Sequence, residues 1–115
     1  MKLENYITGN WITGDGEGQQ LFNAVTGEAI ATATTNGLDF KQILEYGRMV
    51  GNPALRKMTF HERGNMLKAL AMHLRNHLDK FYAISYKTGA TKADSWVDIE
   101  GGIGNNIQIQ SVGYA

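Results

Sequence analysis

The chain has 115 residues, of which 43% are apolar, 19% charged and 10% aromatic. This composition is typical of a folded globular protein rather than a disordered segment, and the length favours one domain. Eleven basic residues balance eleven acidic ones, so the broad positive surface of a nucleic-acid-binding protein is not expected. Because there is no cysteine, disulfides, thiolate metal sites and cysteine nucleophiles are excluded within this chain.

The start of the chain shows no apolar segment of the kind found in secretory signals. No apolar run approaches the ~18 residues that span a bilayer. We therefore expect a soluble cytoplasmic protein with no membrane partner. The charge is uneven, since residues 56–80 carry six basic and two acidic groups. Such a block is either a solvated helix face or a surface for an anionic partner.

The first part of the chain predicts short strands. Residues 6–8 and 11–12 flank Gly9-Asn10, a pair suited to the primed two-residue turn of a β-hairpin. Residues 14–18 alternate glycine with charged residues and predict a loose solvent loop.

A second pair of strands is predicted at residues 21–23 and 28–33, with turn residues at 25–27 between them. Hairpins of this size are marginally stable alone and need another surface to lie against.

Apolar residues repeat with a helical period from about residue 38. The predicted face of this first helix consists of Phe40, Ile43, Leu44, Gly47 and Val50. Asn36 is the predicted N-cap, with Asp39 at the third helical position. The predicted end of the helix is Gly51-Asn52-Pro53.

A second helix begins at Thr59, whose spacing to Glu62 is that of a capping box. The predicted helix is long for a globular protein, so we expect a break near its most polar stretch, Asn76-His77. Gly89 is its predicted C-terminal end. Its predicted apolar face consists of Leu67, Leu70, Ala71, Leu74, Leu78 and Phe81.

The last part of the chain gives conflicting signals. Residues 92–100 predict a helix with Ala93, Trp96 and Val97 facing inward. The glycines of residues 101–104 disfavour helix, and residues 107–110 alternate like a strand.

One histidine pair has the spacing of a metal site. His73 and His77 stand one helical turn apart, which lets two imidazoles share a metal ion. The glutamate of a zinc-protease motif is missing, and both histidines lie to the side of the apolar face. An exposed pair without metal is therefore the favoured interpretation.

Two glycine clusters fail as phosphate-binding sites. The series Gly14, Gly16 and Gly18 departs from the dinucleotide fingerprint, because Gln19 stands where the third glycine belongs. Residues 101–104 lack the lysine and hydroxyl of a phosphate loop and instead favour close backbone packing.

The remaining candidates for chemistry also lack partners. Asp94, Asp98 and Glu100 could pair as acids, but on an exposed helix they form a solvated face. The three serines considered, Ser85, Ser95 and Ser111, have no neighbouring base in the sequence. The residues alone therefore identify no catalytic, cofactor-binding or metal-binding residue.

Four strings carry a family resemblance over residues 3–104: Ile7-Thr8-Gly9-Asn10-Trp11, Asn23-Ala24-Val25-Thr26-Gly27-Glu28, Glu62-Arg63-Gly64-Asn65-Met66-Leu67 and the run from Thr88 to Gly104. They resemble the opening strand, hairpin and helices of aldehyde dehydrogenases. The last string, with Pro53-Ala54-Leu55-Arg56 and the run from Met58 to Arg63, is very similar to the phenylacetate-degrading branch. Members of that branch join a dehydrogenase to a hotdog-type enoyl-CoA hydratase.

The resemblance implies an α/β fold, α+β within this segment. Hairpins and three to four helices would form the first layer of an incomplete Rossmann-type cofactor-binding domain over residues 1–115. The ambiguous tail would be helical. For the parent enzyme it implies oxidation of a CoA-thioester semialdehyde to the acid with NADP or NAD, in a homo-oligomer.

The family's catalytic cysteine, general-base glutamate and cofactor-binding units lie further along than this sequence reaches. No catalytic or cofactor residue is therefore assigned here, and no cofactor is expected in this chain. Phe22 and Asp98 are rough counterparts of the surroundings of a monovalent cation that some members bind.

We expect residues 1–115 to be an N-terminal fragment without a catalytic domain. Its partners would be the remainder of the dehydrogenase chain or other subunits, and not nucleic acid. The apolar helix faces would then lack part of their cover. The alternative is a free-standing, non-catalytic protein-interaction module derived from the same layer.

Overall fold

The computed structural model describes the backbone of residues 1–112 and the side chains of residues 1–108. It contains two compact units, Met1–Leu55 and Arg56–Ala115. The first unit holds two antiparallel hairpins and most of the first helical stretch, which ends at Lys57, and the second holds the helices that follow. The fold is mixed α+β, as the sequence predicts. Within the described backbone, no helix has the length and hydropathy needed to cross a bilayer.

The first hairpin pairs β1 (Glu4–Ile7) with β2 (Asn10–Thr13). Its turn is Thr8-Gly9, one residue before the predicted turn, and Asn10 already pairs with Ile7. Both turn residues have positive φ, 49° at Thr8 and 83° at Gly9. The prediction of Gly9-Asn10 was wrong because a primed turn of this kind gains most from glycine at its second central position.

Replacing Thr8 by asparagine should raise the population of this hairpin. Threonine is β-branched and poorly suited to positive φ, whereas asparagine tolerates it, so we expect a gain of about 1 kcal/mol. The measurement is the intensity of NMR contacts between the rings of Tyr6 and Trp11, which lie 5.0 Å apart across the strands. The control Thr13→Asn lies within β2 and should bring no gain. If the NMR contacts between Tyr6 and Trp11 were weaker in Thr8→Asn than in the parent chain, the backbone of Thr8 would not be strained as proposed.

The second hairpin pairs β3 (Gln19–Phe22) with β4 (Ala29–Ala33), with a bulge at Leu21/Phe22. Asn23 shapes the turn, because its Oδ1 accepts from the backbone amides of Val25 at 2.9 Å and Thr26 at 3.3 Å. Gly27 completes the turn with φ 75°. The predicted turn at residues 25–27 is confirmed.

The glycine loop between the hairpins is packed at its first residue, Gly14. Gly14 is buried, and a Cβ there would lie 2.5 Å from the backbone oxygen of Thr34. The Thr34 hydroxyl donates to the Asp15 carbonyl at 2.9 Å, and the Asp15 amide donates to the Asn36 carbonyl at 2.8 Å. Residues 15–18 are exposed, so the predicted solvent loop is confirmed there, whereas Gly14 is buried and the contacts with the segment after β4 hold that end of the loop in place.

The first helical stretch runs through α1 (Phe40–Tyr46), a π turn (Gly47–Gly51) and α2 (Asn52–Lys57). Asp39 is the N-cap in place of the predicted Asn36, and its side chain accepts from the Gln42 amide at 3.0 Å.

The predicted end at Gly51-Asn52-Pro53 is wrong, because the Asn52 amide donates to the Gly47 carbonyl five residues back. This widened turn places Pro53 in the first turn of α2, where a missing N–H costs little. The predicted apolar face exists, but Phe40, Leu44 and Val50 on it are exposed.

The second unit contains α3 (Phe60–Arg75), α4 (Leu78–Lys87), α5 (Lys92–Trp96), a second π turn (Val97–Gly101) and α6 (Gly102–Val112). The capping box of α3 is confirmed, with the Thr59 amide 2.6 Å from Glu62 Oε2 and the Glu62 amide 3.2 Å from Thr59 Oγ1. The Thr59 amide and hydroxyl lower the pKa of Glu62.

The predicted break at Asn76-His77 is also confirmed, because α3 ends and α4 begins on either side of it. The strand indicated by residues 107–110 is wrong, and the helix that the resemblance implies is present. The side chains of Ile109 and Gln110 lie outside the described part.

Helix α6 packs on α3, and the two contribute the buried residues Ile103 and Ala71. The glycines beside Ile103 do not mediate this contact. A Cβ at Gly101, Gly102 or Gly104 would meet nothing within 4 Å. The prediction of close backbone packing there is therefore wrong, and Ile103 is the buried side chain of this segment.

Candidate functional site

An open groove of about 710 Å³ lies beside α4 and α5 in the second unit. We call it the Trp96 groove. Ala93, Trp96 and Val97 form its apolar floor, with Tyr82, Lys92 and Glu100 at its edges. Both aromatic and charged groups therefore meet at one surface of α5 and the following π turn.

The sequence predicts Ala93, Trp96 and Val97 to face inward, and this is wrong. All three are exposed, with 58% of Trp96 and 60% of Val97 accessible. The inward positions are Ser95, Ile99 and Ile103, spaced four residues apart along the helix. Trp96 and Val97 come directly after Ser95 and point away, since each residue turns the helix by about 100°.

Ser95 is fully buried, and its Oγ lies 2.8 Å from Ser85 Oγ on α4. The two hydroxyls satisfy each other and fix α5 against α4. A second hydroxyl is no base for proton removal, so neither serine is an activated nucleophile. The side chain of Ser111 lies outside the described part.

The strongest polar contact of the groove joins Tyr82 and Glu100. The Tyr82 hydroxyl donates to Glu100 Oε1 at 2.7 Å. This hydrogen bond, with burial and the negative charge of Glu100, raises the pKa of Tyr82 to about 12. The sequence analysis missed this pair because its members stand 18 residues apart on different helices.

One of the five tyrosines should therefore ionise late. The folded pKa of Tyr82 lies above its ordinary value of 10.0, so its contribution to stability is full below pH 10 and is lost as the pH rises toward about 12. Titration of tyrosinate absorbance measures this. Tyr82→Phe should remove the late step and Tyr86→Phe should keep it. A titration without a late step would contradict the hydrogen bond between Tyr82 and Glu100.

The three carboxylates proposed as an acid pair have separate roles. Asp94 completes a second capping box, in which the Thr91 hydroxyl donates to Asp94 Oδ2 at 2.6 Å and the Asp94 amide donates to Thr91 Oγ1 at 3.2 Å. Glu100 binds Tyr82, and Asp98 is exposed in the π turn. The arrangement is structural rather than that of a general acid and base.

The two histidines are close, with ring centroids 4.7 Å apart. His77 Nδ1 lies 2.9 Å from the backbone oxygen of His73, so that one ring nitrogen is already engaged. Among the described residues, no group of three or more histidine, aspartate or glutamate side chains could hold a metal ion.

Zinc should consequently leave the melting temperature unchanged. Two imidazoles without a third ligand do not form the closed coordination shell that stabilises a fold. The measurement is thermal unfolding with and without equimolar Zn²⁺, with His73→Ala as the matched control. A rise in the melting temperature that His73→Ala abolishes would show that the pair binds metal.

The first glycine series does not form the turn that binds a nicotinamide dinucleotide. The glycine series at residues 14–18 lies between β2 and β3, so no helix N-terminus follows it to receive a pyrophosphate. Phe22 ends β3 in the first unit, and Asp98 lies in the π turn of the second. The cation site near these two residues stays a prediction.

No protein-family model matches the chain. The chain is 40% identical over 104 residues to a 3,4-dehydroadipyl-CoA semialdehyde dehydrogenase of Aromatoleum evansii. The match covers 90% of this chain and 20% of that protein, so the chain spans about a fifth of the relative's length. Nearly the whole chain is therefore similar to part of a semialdehyde dehydrogenase, in agreement with the resemblance of residues 3–104.

Proposed function

We propose that the chain is the opening segment of an NAD(P)-dependent aldehyde dehydrogenase. The parent enzyme would oxidise a CoA-thioester semialdehyde to the acid in the degradation of an aromatic compound. The similarity to the dehydrogenase of Aromatoleum evansii, at 40% identity across 90% of this chain, is the observation that carries the proposal.

The segment's own contribution would be structural. Tyr82 donates to Glu100, and the hydroxyls of Ser85 and Ser95 bind each other, so these four side chains are not arranged to attack an aldehyde. The chain also contains no cysteine to form a thiohemiacetal with the substrate. The nucleophile and the nicotinamide site would come from the part of the enzyme that this chain does not span.

The distribution of apolar residues supports a role as one layer of a larger domain. Among the described side chains the buried apolar residues are Ala31, Ala71 and Ile103, while more than twenty large apolar residues are exposed. Apolar surface on this scale commonly marks a place where another element packs. The remainder of the dehydrogenase would cover the α1 face that carries Phe40 and Leu44.

The finer assignment concerns the branch of the family. We propose the phenylacetate-degrading branch, in which a hydratase accompanies the dehydrogenase, with NADP as the cofactor and the cytoplasm as the compartment. The string from Thr88 to Gly104 supports this branch, because that run is long and unusual.

A chimera tests the proposal. This chain would replace the matched 104 residues of the Aromatoleum evansii enzyme, and reduction of NADP and NAD would be followed with 3,4-dehydroadipyl-CoA semialdehyde. We expect a soluble chimera with activity within about tenfold of the parent, because a segment that only scaffolds should leave the reacting groups in place.

Two controls interpret the result. The isolated chain should reduce neither cofactor. A chimera carrying Gly14→Ala should have less dehydrogenase activity in its soluble fraction, because the added methyl group would collide with the backbone of Thr34 and disrupt the first unit. A soluble, folded chimera without dehydrogenase activity would overturn the proposal. The rate with NADP relative to NAD tests the proposed cofactor separately.

A further inference from the structure

We propose that the Trp96 groove is a self-association surface, on which a second copy of this chain binds. The two copies would align residues 92–100 antiparallel, with a twofold axis passing close to Trp96. The proposal concerns one helix face of the second unit, and it does not depend on the dehydrogenase assignment.

The apolar part of the surface has the character of an interface centre. Trp96 and Val97 are exposed side by side, and Ala93 lies one turn earlier on the same groove. Tryptophan is among the residues that contribute most to binding when water is excluded from it. The inward residue Ser95 holds this part of the helix against α4, so the surface is already formed in one copy.

The charges flanking Trp96 indicate what binds there. Lys92 precedes Trp96 by four residues and Glu100 follows it by four, and both line the groove. A twofold axis at Trp96 places Lys92 of each copy against Glu100 of the other, since an isologous contact pairs each position with its mirror along the helix. The surface is therefore complementary to itself in charge as well as apolar at its centre.

This pattern is specific to Trp96. Of the exposed large apolar residues on the described helices, it is the one with opposite charges four residues before and four after. Ile84, for example, has Lys80 before it and the uncharged Thr88 after it. Exposure alone would not select Trp96, because Ile84 is 62% exposed and Trp96 58%.

Tyr82 prepares Glu100 for this contact. Its hydroxyl donates to Oε1 at 2.7 Å, which holds the carboxylate at the edge of the groove. The second carboxylate oxygen can accept from the lysine of the other copy, because an ionised carboxylate accepts several hydrogen bonds.

Charge reversal tests the pairing in the full chain. Sedimentation equilibrium at low ionic strength would give the dimer dissociation constant of the parent chain, of Lys92→Glu, of Glu100→Lys and of the double variant. Each single reversal turns two attractive pairs into two repulsive ones and should weaken the dimer by about tenfold or more. The double variant restores opposite charges across the axis and should return to within about fivefold of the parent.

Three further variants distinguish dimerisation through the Trp96 groove from nonspecific association of exposed apolar residues. Trp96→Lys should weaken the dimer by about a hundredfold. Ile84→Lys, at an equally exposed residue outside the groove, should leave the dissociation constant unchanged. Tyr82→Phe removes the hydrogen bond to Glu100 while keeping both charges, so it should weaken the dimer less than either charge reversal does.

Helical circular dichroism would confirm that each variant remains folded. A chain that stays monomeric up to millimolar concentration would overturn the proposal and leave the groove to another part of a longer protein. A double variant as weak as the single variants, or equal effects of Trp96→Lys and Ile84→Lys, would also overturn it. These outcomes are independent of the chimera's activity.

Discussion

Ile103→Ala should remove most of the helical signal of the second unit. Ile103 is 7% exposed and lies where α6 packs on α3. Shortening a buried isoleucine to alanine costs about 3 kcal/mol, through lost burial and the cavity left behind. A unit this small has little stability in reserve, so the loss should be visible as a drop in far-ultraviolet circular dichroism at room temperature.

Ile84→Ala is the matched control for this prediction. It makes the same chemical change at a residue that is 62% exposed on α4. Little apolar surface is lost there, so the change in stability should stay within about 0.5 kcal/mol. Equal losses of helical signal in the two variants would show that α3 and α6 do not form the core of the unit.

Gly14→Ala should disrupt the first unit. The added methyl group would stand 2.5 Å from the backbone oxygen of Thr34, and a backbone atom cannot swing aside as a side chain does. Overpacking of this kind costs about 1–3 kcal/mol. We expect loss of the Asp15 and Thr34 hydrogen bonds, measured as faster exchange of the Asp15 amide and a changed fluorescence of Trp11.

Gly47→Ala provides a control of opposite sign. Gly47 has helical angles, φ −59° and ψ −40°, and a Cβ there would meet nothing within 4 Å. Alanine in a helix is favoured over glycine by about 0.5–1 kcal/mol, so this variant should gain stability. If Gly14→Ala were tolerated as well as Gly47→Ala, the close packing around Gly14 would be refuted.

Local signals predicted the start of α3 and the break that follows it. The capping box joins Thr59 to Glu62, only three positions along the chain, so the sequence contains the whole contact. The same holds for the Asn23 turn and for the break at Asn76-His77, where helix termination depends on neighbours. The second capping box, at Thr91, has the same kind of local pattern and was missed because Asp94 was considered only as an acid.

Two other features could not be predicted from the usual local rules. The widened turn that carries the helix through Pro53 depends on a hydrogen bond from Asn52 to Gly47, which ordinary helix rules do not anticipate. The outward position of Trp96 follows from the buried contact of Ser95 with Ser85 on another helix. The sequence analysis placed Trp96 inward, whereas in the structure Ser95, Ile99 and Ile103, spaced four residues apart, form the inward face.

The binding of an apolar dye most directly tests the central claim, that these helix faces are shaped to pack against elements outside this chain. We expect the isolated chain to bind 8-anilinonaphthalene-1-sulfonate with a strong rise in fluorescence, and the folded chimera to bind little of it, because its added elements would cover the faces that include Phe40 and Leu44. An isolated chain that binds no dye and unfolds as a monomer in one cooperative transition would contradict this account.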